Sequence, residues 1–147
     1  MRYRRIIWTC LLSALVPAIC LAQQQPKAAA EKLPVLHSKL YPAEELKVTP
    51  GGNFKMTPVF DGVTTRGERI ELHLSEIAPG ETPNPPHLHH SEEILVIRQG
   101  TLEVTINGNS KTMGPGSVAF VQSDDKLGVK LAGTTPAIYI MFALGDR

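Results

Sequence analysis

The sequence has few of the features that mark several common classes of protein. Only two cysteines occur among its 147 residues, and both, Cys10 and Cys20, lie near the N-terminus. Twelve prolines and twelve glycines leave no long window free of helix breakers after residue 78. Fifteen Lys and Arg against 14 Asp and Glu form no basic block, so neither nucleic acid nor an anionic membrane is an expected partner. The composition argues against a redox thiol pair and against a helical domain.

The first 22 residues have the pattern of a secretory signal peptide. Arg2, Arg4 and Arg5 supply a positive start, and the apolar stretch 6–19 is too short for a comfortable transmembrane helix. Small residues at the positions that a signal peptidase inspects predict cleavage after Ala22. An uncleaved membrane anchor is the alternative. We expect a periplasmic or secreted protein that has no cysteine and no membrane attachment after cleavage.

The rest of the chain divides into a tether, residues 23–34, and one domain, residues 35–147. The tether has no large apolar residue except Leu33, which is typical of a flexible segment. The domain contains short segments of alternating polarity, which predict strands: Phe54–Phe60, Glu68–Ile77, Glu93–Gln99, Leu102–Ile106, Val118–Gln122, Leu127–Leu131 and Ala137–Phe142. Turns are expected at 107–108 and 114–116, and a brief helix at 43–46. Seven closely spaced strands predict an all-β barrel or sandwich.

Potential ligands are densest in the run His87-Leu88-His89-His90-Ser91-Glu92-Glu93. On one extended strand His87, His89 and Glu93 would share a face, because alternate side chains point the same way. Two imidazoles and a carboxylate suit a divalent cation such as Fe, Mn, Zn, Ni or Cu. The alternative is a buried hydrogen-bonded cluster that holds no ion.

The same run resembles the first signature of the cupins. That signature has a Gly, two His separated by one residue, a Glu four positions later and a Gly seven after that, which match here Gly80, His87, His89, Glu93 and Gly100. Six residues separate Gly80 from His87 where five are usual. The resemblance is to small single-domain cupins of the RmlC-like superfamily and covers roughly residues 54–143. It implies a jelly-roll β-barrel with a metal held inside.

The second cupin signature is only partly matched. Its usual fourth ligand is a His, which corresponds here to Leu127, and the Asn that often follows corresponds to Leu131. Gln122 stands where a Pro is usual, six residues after Gly116. A three-ligand site would keep a coordination position open for water, substrate or dioxygen.

Other polar residues have two interpretations each. His90 and Glu92 have the opposite parity, which predicts a solvated rim unless the strand bulges. His73 either faces the barrel and replaces the missing ligand or lies on an outer polar face with Glu71 and Ser75. Asp124-Asp125 is an acid/base pair or a solvated turn. Arg66 and Arg69 bind an anionic substrate or are surface charges.

The resemblance leaves several functions open. One is a metal-dependent enzyme, such as a dioxygenase, isomerase or hydrolase, that acts on a small organic molecule. A second is a non-catalytic binder of a small molecule or metal, and a third is a structural dimer module. Residues 93–97 have apolar side chains on both faces of the strand, so both faces must be shielded from water. The barrel interior shields one face, and either residues 35–60 or a second subunit shields the other, which predicts a homodimer through the outer face.

Overall fold

The computed structural model describes residues 32–50, 54–81 and 85–145, which form an all-β domain. A 3-10 turn at Ala43–Glu45 is the one helical element among these residues, and nothing in these ranges forms a helix long and apolar enough to span a bilayer. The strands are β1 (Thr49–Pro50), β2 (Lys55–Val63), β3 (Arg69–Ile77), β4 (His87–Leu88), β5 (Glu92–Gln99), β6 (Leu102–Ile106), β7 (Asn109–Met113), β8 (Val118–Val121), β9 (Lys126–Leu131) and β10 (Ala137–Leu144).

The strands form two antiparallel sheets. One has six strands in the order β1-β2-β3-β10-β5-β8, and the other has four in the order β4-β9-β6-β7. Inward-facing side chains from both sheets make the core, with Leu95, Ile97, Leu102, Val121 and Ala137 almost wholly buried. This arrangement is the jelly-roll barrel that the sequence predicts.

Alternate side chains of a strand point to opposite faces, so every second residue is buried in the core. Along β10 the residues alternate between buried and half-buried from end to end, and β5 repeats the pattern from Glu93 to Ile97. Seven strands were expected, and each lies within three residues of its predicted ends. The short strands β1, β4 and β7 were missed, because two of them have two residues and β7 is exposed along most of its length.

Two glycines hold the loops of the barrel close to its strands. A Cβ on Gly100, whose φ is +71°, would lie 2.5 Å from the Pro136 carbonyl oxygen. A Cβ on Gly128 would lie 2.5 Å from Pro86 Cγ. Glycine at these positions lets β5 turn sharply into β6 and lets the segment before His87 cross β9 closely. The predicted turn at Asn107-Gly108 is also present, with φ of 48° and 82°.

The N-terminal part of the domain is attached to β2. Val63 donates a backbone hydrogen bond to the Pro34 carbonyl, and Leu36 donates one to the Val63 carbonyl. These two bonds attach residues 34–36 to β2, and the boundary of the tether stays a prediction. The predicted signal peptide and residues 23–31 lie outside the described residues.

The outer face of the six-stranded sheet is apolar across four strands. The strand register aligns two rows of side chains: Leu74, Ile140, Val96 and Val118 in one, and Leu72, Phe142, Ile94 and Phe120 in the other. Residues 32–50 reach one end of this face, where the Tyr41 ring lies 5.8 Å from that of Phe60 and Phe60 contacts Phe142. The opposite end remains open, since Val118 and Phe120 are 58% and 59% exposed.

Candidate functional site

A cavity of about 390 Å³ lies inside the barrel. Its volume falls in the range of small-molecule sites. Histidines and Glu93 line it from the β4–β5 segment, and strands β2, β3, β9 and β10 supply the other walls. The residues that line it include Phe54, Met56, His73, Ser75, Ile77, His87, His89, Glu93, Leu127, Val129, Tyr139 and Met141.

The three predicted ligands do not lie on one strand, as the sequence pattern suggested. His87 is in β4 of the four-stranded sheet and Glu93 is in β5 of the six-stranded sheet, because residues 89–91 carry the chain from one sheet to the other. The fold still brings the side chains together. His89 Nδ1 lies 2.7 Å from Glu93 Oε1, and the His87 and His89 rings are 4.5 Å apart.

Each of these three residues uses one polar atom in a hydrogen bond and keeps another available. His87 Nδ1 donates to the Pro85 carbonyl at 3.0 Å, and His89 Nδ1 donates to Glu93 Oε1. Donation from Nδ1 makes Nε2 of a neutral imidazole the lone-pair nitrogen, which is the form that binds metals. Glu93 is 5% exposed, and its Oε2 has no hydrogen-bond partner among the described residues.

These nitrogen and oxygen atoms therefore suit a divalent cation by their type, and each of the three residues keeps one such atom available for it. Within the described ranges, however, no three His, Asp or Glu side chains converge as a metal cluster. The ligand assignment of His87, His89 and Glu93 stays a prediction.

A surface turn fixes the backbone beside His89. His89 donates its backbone N–H to the Asp125 carbonyl, and Asp124 donates its own to the His89 carbonyl at 2.7 Å. The Ser123 hydroxyl donates to the His90 carbonyl, and His90 Nδ1 donates to Asp124 Oδ1, both at 2.7 Å. The turn predicted at 124–125 thus serves as a support for the histidine segment, and its carboxylates do not face each other as an acid/base pair.

Leu127 occupies the position at which the cupin pattern has a fourth ligand. It pairs directly with His87 across β4 and β9 and is 2% exposed. Its side chain lines the cavity, so an apolar group stands beside the imidazoles. Such a group lowers the local dielectric and strengthens electrostatic interactions in the cavity.

His73 lies on the interior of the barrel, so the face that it shares with Glu71 and Ser75 is the inner one. The register of β3, β10 and β5 aligns three inward rows. Glu93 and Glu71 are in the first, His73 is in the second, and Ser75 and Tyr139 are in the third. His73 Nδ1 lies 3.3 Å from Glu71 Oε1, which gives the barrel a second imidazole–carboxylate pair.

Sequence reasoning did not single out Ser75 or Tyr139 as site residues. The two are direct partners on β3 and β10, are 1% and 7% exposed, and both line the cavity. The signal that points to them is the parity of β10, in which Tyr139 is the one polar member of the buried set Ala137, Tyr139, Met141 and Ala143.

The Tyr139 phenol is held in its neutral form. Burial raises its pKa above the ordinary value of 10.0, the nearby Ser75 hydroxyl lowers it by less, and the Glu93 charge raises it further. The Ser75 hydroxyl lies close enough to the phenol to lower its pKa. The distance and angles of Ser75 Oγ nevertheless satisfy the criteria for a hydrogen bond with none of the described residues. The cavity therefore contains a phenolic donor and a hydroxyl without a partner.

The remaining sequence candidates are outside the cavity. Glu92 is exposed, in agreement with its parity. Arg69 forms a two-bond ion pair with Asp61 at 3.0 and 2.8 Å, and Arg66 is exposed in the β2–β3 turn. Asp125 accepts a hydrogen bond from Asn107 at 2.7 Å. These contacts give the residues structural or surface roles.

Comparison with protein-family models matches residues 73–143 to the family described as Cupin domain. The matched range begins at His73 in β3 and ends at Ala143 in β10, the residue that pairs with Glu93 across the sheet. It includes the histidine run, the cavity wall of β10 and most of the core. A search of curated protein sequences returned no significant match.

Solved structures with the same fold include several cupins. An RmlC-like cupin from Shewanella frigidimarina is 19% identical, with a TM-score of 0.62 over 75% of this chain and 94% of that one. A predicted oxalate decarboxylase from Thermotoga maritima is 16% identical, with a TM-score of 0.61 over 74% and 100% of the two chains. The polyketide cyclase RemF from Streptomyces resistomycificus is 19% identical, with a TM-score of 0.60 over 76% and 82%. At these identities the likeness establishes the fold alone.

Proposed function

Because this chain carries a small cupin domain, we propose that it binds a divalent cation at His87, His89 and Glu93 and a small organic molecule in the adjoining cavity. The observation that carries the proposal is the Glu93 carboxylate. It is buried, it bonds to His89 through one oxygen, and its other oxygen has no partner among the described residues. A buried carboxylate oxygen is costly without a cation or donor beside it.

The donor chemistry supports a cation that accepts both nitrogen and oxygen ligands, which includes Fe, Mn, Zn, Ni and Cu. When bound, such a cation supplies a Lewis acid and an open coordination position beside the cavity. The chain's own residues contribute the rest. Pro85 orients His87, and the turn at Ser123–Asp125 orients His89. Leu127 keeps the cavity wall beside the imidazoles apolar.

Elemental analysis of protein purified without a His tag tests the proposal. We expect about one equivalent of a transition metal per chain in the wild type, and little in Glu93→Gln or His89→Ala. Glu92→Gln is the matched control, because it makes the same change at the exposed neighbour and should retain the metal. A wild type without metal after reconstitution with Fe, Mn, Zn, Ni or Cu contradicts the proposal.

A second candidate is a metal-free binder, favoured by the His89–Glu93 hydrogen bond at 2.7 Å. In that case no cation lies beside Glu93, and the bound small molecule would supply the donor that Glu93 Oε2 lacks. This function predicts no metal in any sample together with saturable binding of a small molecule. An enzyme of the dioxygenase, isomerase or hydrolase type is distinguished from both binders by turnover of aromatic or sugar substrates under oxygen.

We also propose a homodimer through the apolar outer face of the six-stranded sheet. The exposed Val118 and Phe120 extend the two apolar rows to the edge of that face, and burying such side chains against a second copy is favourable. Light scattering on the wild type should give twice the monomer mass. Phe120→Glu should give monomers, whereas Leu40→Glu, at an 87% exposed residue outside the strands, should not. A monomeric wild type at micromolar concentration contradicts the dimer.

Export is proposed from the pattern of residues 1–22 alone. Mass spectrometry of protein from the periplasm or the medium should give an N-terminus at Gln23. A mass that includes residues 1–22 contradicts the cleavage.

A further inference from the structure

The inner wall of the cavity contains a polar pair that the proposed metal site does not use. Ser75 and Tyr139 are cross-strand partners on β3 and β10, two rows further along the barrel than Glu93. Both are buried, and both line the cavity. The Ser75 hydroxyl has no hydrogen-bond partner among the described residues. A buried hydroxyl without a partner destabilises the fold, so a group that enters the cavity is expected to complete its bonding.

The surroundings of the pair determine the kind of group. Apolar side chains form most of the wall around it, including Phe54, Met56, Ile77, Val129 and Met141. The described part of the lining includes no Lys or Arg, and the Glu93 charge lies close enough to act on Tyr139. In the metal-free cavity an anion at this wall would therefore be repelled by Glu93 and would find no cationic side chain. An uncharged oxygen can accept from the phenol and exchange a hydrogen bond with the serine.

We propose that Ser75 and Tyr139 form a subsite for the hydroxyl or carbonyl oxygen of an uncharged, largely apolar molecule, such as a phenol, an alcohol or a ketone. The apolar body of this molecule packs against Met56, Ile77 and Met141 on the same walls. The proposal deepens the proposed function, on which it rests, because it names the class of small molecule that reaches the His87, His89 and Glu93 end of the cavity.

Binding of simple probes tests the subsite. Calorimetry or ligand-observed NMR is used on protein freed of metal by chelation, because a bound cation would itself attract a carboxylate. The probes are 2-naphthol and 4-ethylphenol, which are neutral near pH 7, and 2-naphthoate and 4-ethylbenzoate, which match them in shape but carry a charge. We expect the neutral probes to bind the wild type more tightly than their carboxylates. Ser75→Ala and Tyr139→Phe should each weaken the neutral probes about fivefold to tenfold, the effect of losing one hydrogen bond.

Two variants control for the chemistry of the changes. Tyr41→Phe removes a phenol that packs on Phe60 outside the cavity, and Ser110→Ala removes a hydroxyl that bonds to Thr105 on exposed strand β7. Both should bind the neutral probes as the wild type does. Circular dichroism and thermal melting check that Ser75→Ala and Tyr139→Phe are folded, and if either is not, Ser75→Cys and Tyr139→Leu replace it, since they also remove the hydroxyl.

The outcomes separate this subsite from the metal proposal. Neutral probes that bind the variants and the wild type equally overturn the subsite, as does a wild type that binds neither neutral probe at about 1 mM or prefers the carboxylates. If Ser75→Ala and Tyr139→Phe retain the wild-type metal content, the cation site stands whatever the probes do. If no metal is found but probe binding still depends on Ser75 and Tyr139, the subsite stands and the cation site fails.

Discussion

Raising the pH above 10 should destabilise this protein through Tyr139. Burial raises the pKa of its phenol above 10.0 in the folded state, whereas the unfolded chain has the ordinary value. Between the two pKa values the unfolded state has lost the proton and the folded state still holds it. Stability therefore falls as the pH rises through this window, by up to about 1.4 kcal/mol per pH unit for the one proton. Below pH 10 both states are protonated, so the contribution of Tyr139 is fully present there.

The free energy of unfolding, measured by urea denaturation at intervals from pH 8 to pH 11, provides the assay. The quantity of interest is the difference between the wild type and Tyr139→Phe, because the ionisation of Lys residues affects both proteins alike and cancels. We expect this difference to shift with pH only above pH 10, while Tyr41→Phe follows the wild type. Parallel curves for the wild type and Tyr139→Phe up to pH 11 would refute the argument that burial governs this phenol.

Substitutions at Gly100 and Leu127 test the packing of the barrel and of the site, with Gly108→Ala as a control. Gly100→Ala should lower the free energy of unfolding by more than about 2 kcal/mol, since it adds a clash with the Pro136 carbonyl to the strain of a positive φ. Gly108→Ala, which has a similar φ of 82° but open space around its Cβ, should cost only about 1 kcal/mol in chemical denaturation, and equal losses would contradict the clash. Leu127→His should tighten binding of Co²⁺ and Zn²⁺ in calorimetry while it lowers the melting temperature of the metal-free protein, because it places a polar ring at a buried site. An unchanged affinity would contradict the placement of residue 127 beside the ligands.

The fold could be predicted from the sequence because short apolar or alternating segments lie between turn-forming residues. Polarity alternates at 102–106, whereas 93–97 and 137–142 have apolar residues on both faces, and the structure places each of these segments in a strand. Strands β1 and β4 could not be predicted, because a strand of only two residues is too short to show a repeating pattern. Strand β7 was missed for another reason. Its residues are mostly exposed, so no apolar alternation marks it.

The sequence singled out His87, His89 and Glu93 by type and spacing, and the structure places all three at one cavity, while their role as ligands stays a prediction. A single shared strand was wrong, since the spacing of a turn and that of a strand are indistinguishable over three residues. The inward position of His73 could not be assigned from local sequence, because either face of a polar strand can line a polar cavity. Ser75 and Tyr139 come together only through the pairing of β3 with β10, and sequence separation conceals such a pairing.

The turn at Ser123–Asp125 has a consequence for how this barrel can be changed. It holds the peptide groups of His89 and His90 by three bonds and the His90 imidazole by a fourth, although it is far from them in sequence and lies at the surface. Replacing Ser123 or Asp124 would remove a side-chain bond to His90 without changing any residue that lines the cavity wall itself. Protein engineers can therefore influence the histidine segment from outside the cavity by varying Ser123, whereas the φ of 66° at Asp124 restricts that position to residues such as Asn and Gly.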